Sequence, residues 1–257
     1  MKSLYLLILS LLLAALPAHA KDLALVAGAS GGTGRLIAEA LHAKGIAVRG
    51  LTRDPATAPK IDGVTWVAGD VTRPESLAPA LAGVTIVVSA VGAREATGPN
   101  SFETVDWQGN RALIDAAVDA KVRQMLLVTA GSAGEGAWTD PRLARFGGSR
   151  NWKAKAETHL RDSALAYTIV APGGLRDYPA GQQGVKLRTR SEYIVGPVAR
   201  GDVAALIAAC FDNTACFGKT ITIVNDPQAK PGIPAAALQA LPTDTPETIR
   251  APAAVGQ

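Results

Sequence analysis

The segment Gly28-Ala29-Ser30-Gly31-Gly32-Thr33-Gly34-Arg35 carries the strongest chemical signal in the chain. Glycines at 28, 31 and 34 permit a tight turn, close approach of a pyrophosphate to the backbone, and close packing of a helix on a sheet. A short apolar run, Leu23–Ala27, precedes the glycines as a buried strand would, and Leu36, Ile37, Ala40 and Leu41 follow at helical spacing. In that context Ser30 and the amides of Gly32, Thr33 and Gly34 would face phosphate oxygens at the positive end of a helix. The bland alternative is a structural turn in a fold that has lost its ligand.

The end of the following strand reads Arg49-Gly50-Leu51-Thr52-Arg53-Asp54-Pro55. An acid at this tip would bond a ribose 2′-hydroxyl, whereas an arginine would accept a 2′-phosphate. Arg53 falls at the tip and Arg35 lies just past the glycines. Two guanidinium groups can fork a phosphate, so NADP(H) is favoured over NAD(H). Asp54 is then expected to cap or turn into Pro55. Asp70 and Val71 follow a third strand, where Asp70 could accept an adenine amine and Val71 could cover the ring; an ordinary Asp turn is the equal alternative. Ala90, Val91 and Gly92 end a fourth strand with small residues that would admit a ribose.

These residues need a frame to hold them. Strands are expected at Leu23–Ala27, Ala47–Thr52, Val64–Ala68, Thr85–Val91, Met125–Val128, Tyr167–Val170 and Thr220–Val224. Helices are expected at Arg35–Ala43, Pro74–Leu81, Phe102–Ala120, Ala154–Ser163 and Val203–Phe211. Repeated βα units imply one α/β domain over 21–226, a Rossmann-type doubly wound parallel sheet with helices on both faces. Residues 134–151 and 173–192 should rim the site, and 227–257, dominated by Pro, Ala and Thr without periodicity, read as a frayed tail.

Composition narrows the alternatives. The chain has 257 residues, 48% apolar and 19% charged, with a net charge of +4. That rules out wholesale disorder, and scattered basic residues with unspaced tryptophans give no case for a nucleic-acid partner. Two Cys and three His, spread apart, argue against a metal site. Met1–Ala20 has a basic start, an apolar core and Ala18-His19-Ala20, as a Sec-type signal peptide does. An exported protein is therefore expected, with no stable membrane span after processing; an uncleaved N-terminal anchor is the alternative. In an oxidising compartment Cys210 and Cys216 could join, while two reduced cysteines beside the core are equally compatible.

The ordered segments GASGGTGR, LTRDP, GDVT, VVSAVGA, VDWQGNRALIDAA, LLVTAGSAG, KAKAETHL and YTIVAPGGL resemble the atypical short-chain dehydrogenase/reductases, above all their NAD(P)H-binding, flavin reductase-like and NmrA-like branch. The resemblance covers residues 22–226 and implies a Rossmann domain that binds NADP(H). It implies that the glycine loop is Gly28 to Gly34, the 2′-phosphate arginine Arg53, and the adenine-side pair Asp70 and Val71. Pro172, Gly173 and Gly174 would lie beside the nicotinamide, and Lys153 would bridge its ribose. The departures bear on chemistry. The wider superfamily places a catalytic Tyr four residues before that lysine, and here the position is Ser149. The serine expected after the fifth strand is replaced by Thr129-Ala130-Gly131-Ser132, so Thr129 and Ser132 are the remaining candidates to orient a substrate. Hydride transfer to a small-molecule acceptor that needs no protein acid, a flavin or quinone, survives these losses. The competing reading is a non-catalytic NADP(H)-binding sensor or assembly factor. A monomer is expected.

Overall fold

The computed structural model describes residues 22–133 and 148–250. The expected signal peptide and most of the first rim segment therefore lie outside the described residues. β1 (Leu23–Ala27), β2 (Ala47–Thr52), β3 (Val64–Ala68), β4 (Ile86–Ser89), β5 (Gln124–Val128), β6 (Ala166–Pro172), β10 (Lys219–Asp226) and β8 (Gly184–Arg188) make one sheet. Its order is β3-β2-β1-β4-β5-β6-β10-β8, parallel throughout except for the β10–β8 pair. β7 (Gly174–Arg176) and β9 (Pro197–Ala199) form a small parallel pair beside it.

β1 is central, and its residues supply both faces. Ala24 and Val26 enter one apolar cluster with Ile37 and Leu41 of α1 (Gly32–Ala43) and Val203, Leu206 and Ile207 of α5 (Arg200–Cys210). Leu25 and Ala27 enter the other with Leu77 of α2 (Leu77–Ala80), Leu113 and Ile114 of α3 (Asn110–Asp119), and Leu160 of α4 (Ser149–Arg161). A continuous apolar strand with helices on both sides is the pattern that parallel sheets require. The doubly wound architecture expected from the sequence is thus present.

Several boundaries differ, each for a local reason. The helix expected over Phe102–Ala120 is π-helical from Phe102 to Gly109 and becomes α-helical only at Asn110. α4 begins at Ser149 rather than Ala154, and Gly148 before it adopts φ +76°. The 173–192 rim carries strands β7 and β8, too short to show a period. Cys210 and Cys216 form a disulfide, and both are fully buried.

The segment from Pro227 is not frayed as far as Arg250. α6 (Ala235–Ala240) buries Leu238, whose carbonyl accepts from Lys219 Nζ at 2.9 Å. Asp244 accepts from Thr220 N and Thr220 Oγ1 (both 2.7 Å), Arg161 Nε (3.0 Å) and Tyr167 Oη (3.2 Å). Burial, reinforced by the Asp244 charge, pushes the Tyr167 phenol up to about 12. Arg161 also reaches Glu157, which in turn holds the buried Arg190 at 2.5 Å. Composition missed this because the segment is tied down by one short apolar turn, Leu238 with Ile233, Ala237 and Leu241, and by one carboxylate whose partners are distant in sequence. Asp244→Ala should therefore cost about 3–5 kcal/mol, the usual penalty for orphaning a buried charge partner, read as a shift in the denaturant midpoint. A loss below 0.5 kcal/mol, typical of a free surface position, would show that the tail contributes nothing.

Candidate functional site

The glycine loop is held by backbone contacts that no other residue type would allow. Gly28 has φ +82°, and a Cβ there would lie 2.8 Å from the Ala90 carbonyl oxygen. A Cβ on Gly34 would come within 2.1 Å of the Gly28 oxygen, so the first turn of α1 rests directly on the end of β1. Gly31 N donates to Gly28 O at 2.9 Å and closes the turn. Gly31 caps α1 without a side-chain hydrogen bond, and the first-turn amides of Gly32, Thr33 and Gly34 have no helical acceptor.

A cleft of about 490 Å³ opens above this loop, where the chain has crossed from β3 back to β4 on the other side of β1. Such crossover points are where doubly wound sheets bind ligands. Gly28, Ser30 and Gly31 form part of its lining. Arg53, Asp70 and Val71 lie along it from the second and third strand ends, and Ala90, Val91 and Gly92 from the fourth. Gly32, Thr33, Gly34 and Arg35 do not line it. Arg35 turns away, more than half exposed, and pairs with Glu39 at 3.7 Å. Arg53 reaches Asn100 Oδ1 at 3.4 Å, and Asp54 caps the turn at Pro55 by accepting from Ala56 N at 2.9 Å. Asp70 Oδ1 is engaged by Thr72 N and Thr72 Oγ1, an Asp turn. Arg94 and Asn100 line the cleft without having been read from the sequence, since an irregular segment gives no spacing to read.

Below Gly92 lies a buried carboxylate. Asp106, fully inaccessible, accepts from Lys153 Nζ (3.0 Å) and Ala93 N (3.0 Å) through Oδ1, and from Ser149 Oγ (2.7 Å) through Oδ2. It joins the end of β4, the π-helical turn and α4. A Cβ on Gly92 would stand 3.5 Å from Lys153 Nζ, so the ammonium lies directly under the inner end of the cleft. Lys153 is therefore a paired group and not part of a solvated face. Asn110, one turn beyond Asp106 along the same helix, bonds to Ser89 Oγ (2.6 Å) and the Asp106 carbonyl (3.1 Å).

The remaining candidates sit apart from the cleft lining. Thr129 Oγ1 is buried with no partner among the described residues, and Ser132 accepts from Arg150 Nε. Arg190 donates to the carbonyls of Ala130, Gly131 and Ala133 and fixes this loop; burial lowers its pKa despite Glu157. Pro172 accepts from Gly131 N at 2.7 Å, and Gly173 is wedged with its Cβ position 2.2 Å from the Gly196 oxygen.

The model of a family described as NAD(P)H-binding matches residues 28–214, from the first glycine of the loop through α5. The chain belongs to this family. Among its relatives, an uncharacterised chloroplast protein of Arabidopsis thaliana is 33% identical over 229 residues, 79% of this chain and 70% of that protein. Sanguinarine reductase of Eschscholzia californica is 39% identical over 108 residues, 40% of this chain and 38% of the reductase. The chloroplast TIC 62 proteins of Pisum sativum, Arabidopsis thaliana and Oryza sativa are matched over only 24% to 36% of their length. The solved structure of ChuY, an anaerobillin reductase of Escherichia coli O157:H7, superposes with a TM-score of 0.69 at 29% identity, covering 82% of this chain and all of ChuY. The NAD(P)H-binding assignment fits what the residues can hold. Gly28 and Gly31 leave the loop backbone open to the cleft, and the uncapped amides of α1 are donors suited to a phosphate. Among the described residues, no helix is long and apolar enough to cross a membrane, and no cluster of His, Cys, Asp and Glu could hold a metal ion.

Removing the carboxylate under the cleft should be severe. Asp106→Ala leaves Lys153, Ser149 and Ala93 N without their shared acceptor and should cost about 3–5 kcal/mol in chemical denaturation. A loss under 1 kcal/mol would show that Lys153 finds water at no penalty.

Proposed function

We propose that the chain is an NADP(H)-dependent oxidoreductase of the atypical short-chain class that delivers a hydride to a small flavin- or quinone-type acceptor. The observation that carries the reading is the cleft end at β2. Arg53 lines it, and Asp54, its neighbour in sequence, is committed to capping Pro55. A guanidinium at this strand tip favours the 2′-phosphate of NADP(H) over the free 2′-hydroxyl of NAD(H). When bound, the reduced nicotinamide would supply a hydride, two electrons and one proton, to the acceptor.

The chain's own contributions are binding and orientation. The uncapped amides at Gly32 to Gly34 would hold the pyrophosphate. Lys153, steered by Asp106, would meet the nicotinamide ribose at Gly92, and Pro172 and Gly173 would border the ring. Ser149 stands where related reductases carry a tyrosine, and its hydroxyl is directed at Asp106. With no side chain of suitable acidity there, the acceptor would draw any further proton from water, which suits a flavin or quinone. Thr129 and Ser132 would at most orient that acceptor. The same Ser149–Asp106 bond supports the second reading, a non-catalytic NADP(H) sensor or assembly factor. Oxidation of NADPH by added flavins or quinones separates the two; binding without turnover would select the sensor.

We further propose that residues 1–20 direct export and are removed after Ala20. The Cys210–Cys216 disulfide supports this, because such bonds persist in oxidising compartments. N-terminal sequencing of the exported protein should begin at Lys21.

Arg53 gives the sharpest test of cofactor choice. Calorimetric titration of Arg53→Ala should show NADPH affinity reduced about ten- to a hundredfold, the loss of one or two charge-assisted hydrogen bonds, with NADH little changed. Equal loss of both dinucleotides, or of neither, would refute the 2′-phosphate assignment.

A further inference from the structure

A second arginine stands at the glycine loop, and neither the loop motif nor the family match assigns it a role. Arg200 opens α5, and α5 packs its apolar face on α1. The Arg200 side chain crosses to the loop: a Cβ built on Gly32 would lie 3.3 Å from Arg200 Nε and 3.4 Å from its Cδ. A side chain on Gly32 would meet the Arg200 side chain and require it to shift by a few tenths of an ångström. The glycine leaves room for a guanidinium beside the first turn of α1.

That placement is electrostatically awkward unless an anion is present. Arg200 is the first residue of its own helix, where the dipole disfavours a cation, and it lies against the positive end of a second helix. Its one hydrogen bond among the described residues runs from Nε to Asp177 Oδ1 at 2.8 Å. Asp177 is 80% exposed, and a bridge to so open a carboxylate is worth little. The other nearby acid, Asp202, is occupied by Gly181 N and Asn225 Nδ2. A guanidinium therefore stands beside the uncapped first turn of α1, its charge answered by one exposed carboxylate.

We propose that Arg200 binds the pyrophosphate of the dinucleotide, its terminal nitrogens reaching the phosphate oxygens that the α1 amides hold from the other side. This rests on the nucleotide-binding reading above and adds a residue from the far half of the chain to it. Because NADPH and NADH share the pyrophosphate, the contact must serve both, unlike that of Arg53.

Calorimetric titration of full-length mature protein with NADPH, NADH and 2′-AMP distinguishes these roles. Arg200→Ala should weaken NADPH and NADH alike by about ten- to a hundredfold, as expected for lost charge-assisted bonds, and leave 2′-AMP, which lacks a pyrophosphate, within twofold. Arg200→Lys keeps the charge without the fork and should fall between, which guards against a folding defect in the alanine variant. Asp177→Ala breaks the same ion pair but leaves the guanidinium, and should bind both dinucleotides at least as tightly as the wild type. Dinucleotide affinities unchanged in Arg200→Ala, a loss confined to NADPH, or an equal loss in Asp177→Ala would each overturn the proposal. A wild-type chain that bound neither dinucleotide would overturn the nucleotide reading itself.

Discussion

The constraint on which the molecule depends is a backbone-to-backbone contact at Gly28. The residue must turn with positive φ at the end of β1, pass under the carbonyl of Ala90, and receive Gly34 from the first turn of α1. No side chain can be inserted at either glycine without displacing main chain, so strand, helix and the neighbouring β4 are locked in one register. This is why the cleft exists where it does. The cleft is lined by Gly28, Ser30 and Gly31 of the loop on one side and by the strand ends of β2 and β4 on the other.

Two buried carboxylates extend the order outward. Asp106 fastens the rim of β4 to α4 and keeps a lysine ammonium under the cleft. Glu157, one helical turn beyond Lys153, binds Arg190 and Arg161, and through Arg161 is connected to Asp244. Burial opposes the charge on Arg161, and the carboxylates of Glu157 and Asp244 outweigh it, so its pKa rises. Charges taken from water at this depth are tolerated only when each finds partners of good geometry. Helix α4 therefore works as a spine with one acid hub at the cleft and another behind it.

What was legible in the sequence was local. The glycine loop, the continuous apolar strand before it and Arg53 at a strand tip all declare themselves within a few residues, because period and turn chemistry are short-range. Asp106 could be seen only as a polar residue on a helix face; the π-helical turn that carries it and the reach to Lys153 have no short-range signature. Arg35 was drawn to the phosphate by proximity in sequence, but its place on α1 turns it toward Glu39. Arg200 and Asp244 were invisible for the opposite reason. Their partners, Gly32 and Arg161, come from distant elements, and only the packing of α5 on α1 and of the C-terminal segment on β10 brings them together.

The position of β10 has a consequence for how the chain acquires its shape. β8 precedes β10 in the chain yet lies outside it in the sheet, with no other strand neighbour. The rim strand therefore has nothing to pair with until residues 219–226 have been made, and the second acid hub waits longer still, for Asp244. The first five strands pair among themselves, but the glycine loop and α1 still await α5, which packs on α1 from residues 200–210. The edge at β8 should thus stay open until synthesis is nearly finished. If the chain is exported unfolded, as proposed above, an edge that closes only with residues 219–244 would keep that half of the chain pliable for longest.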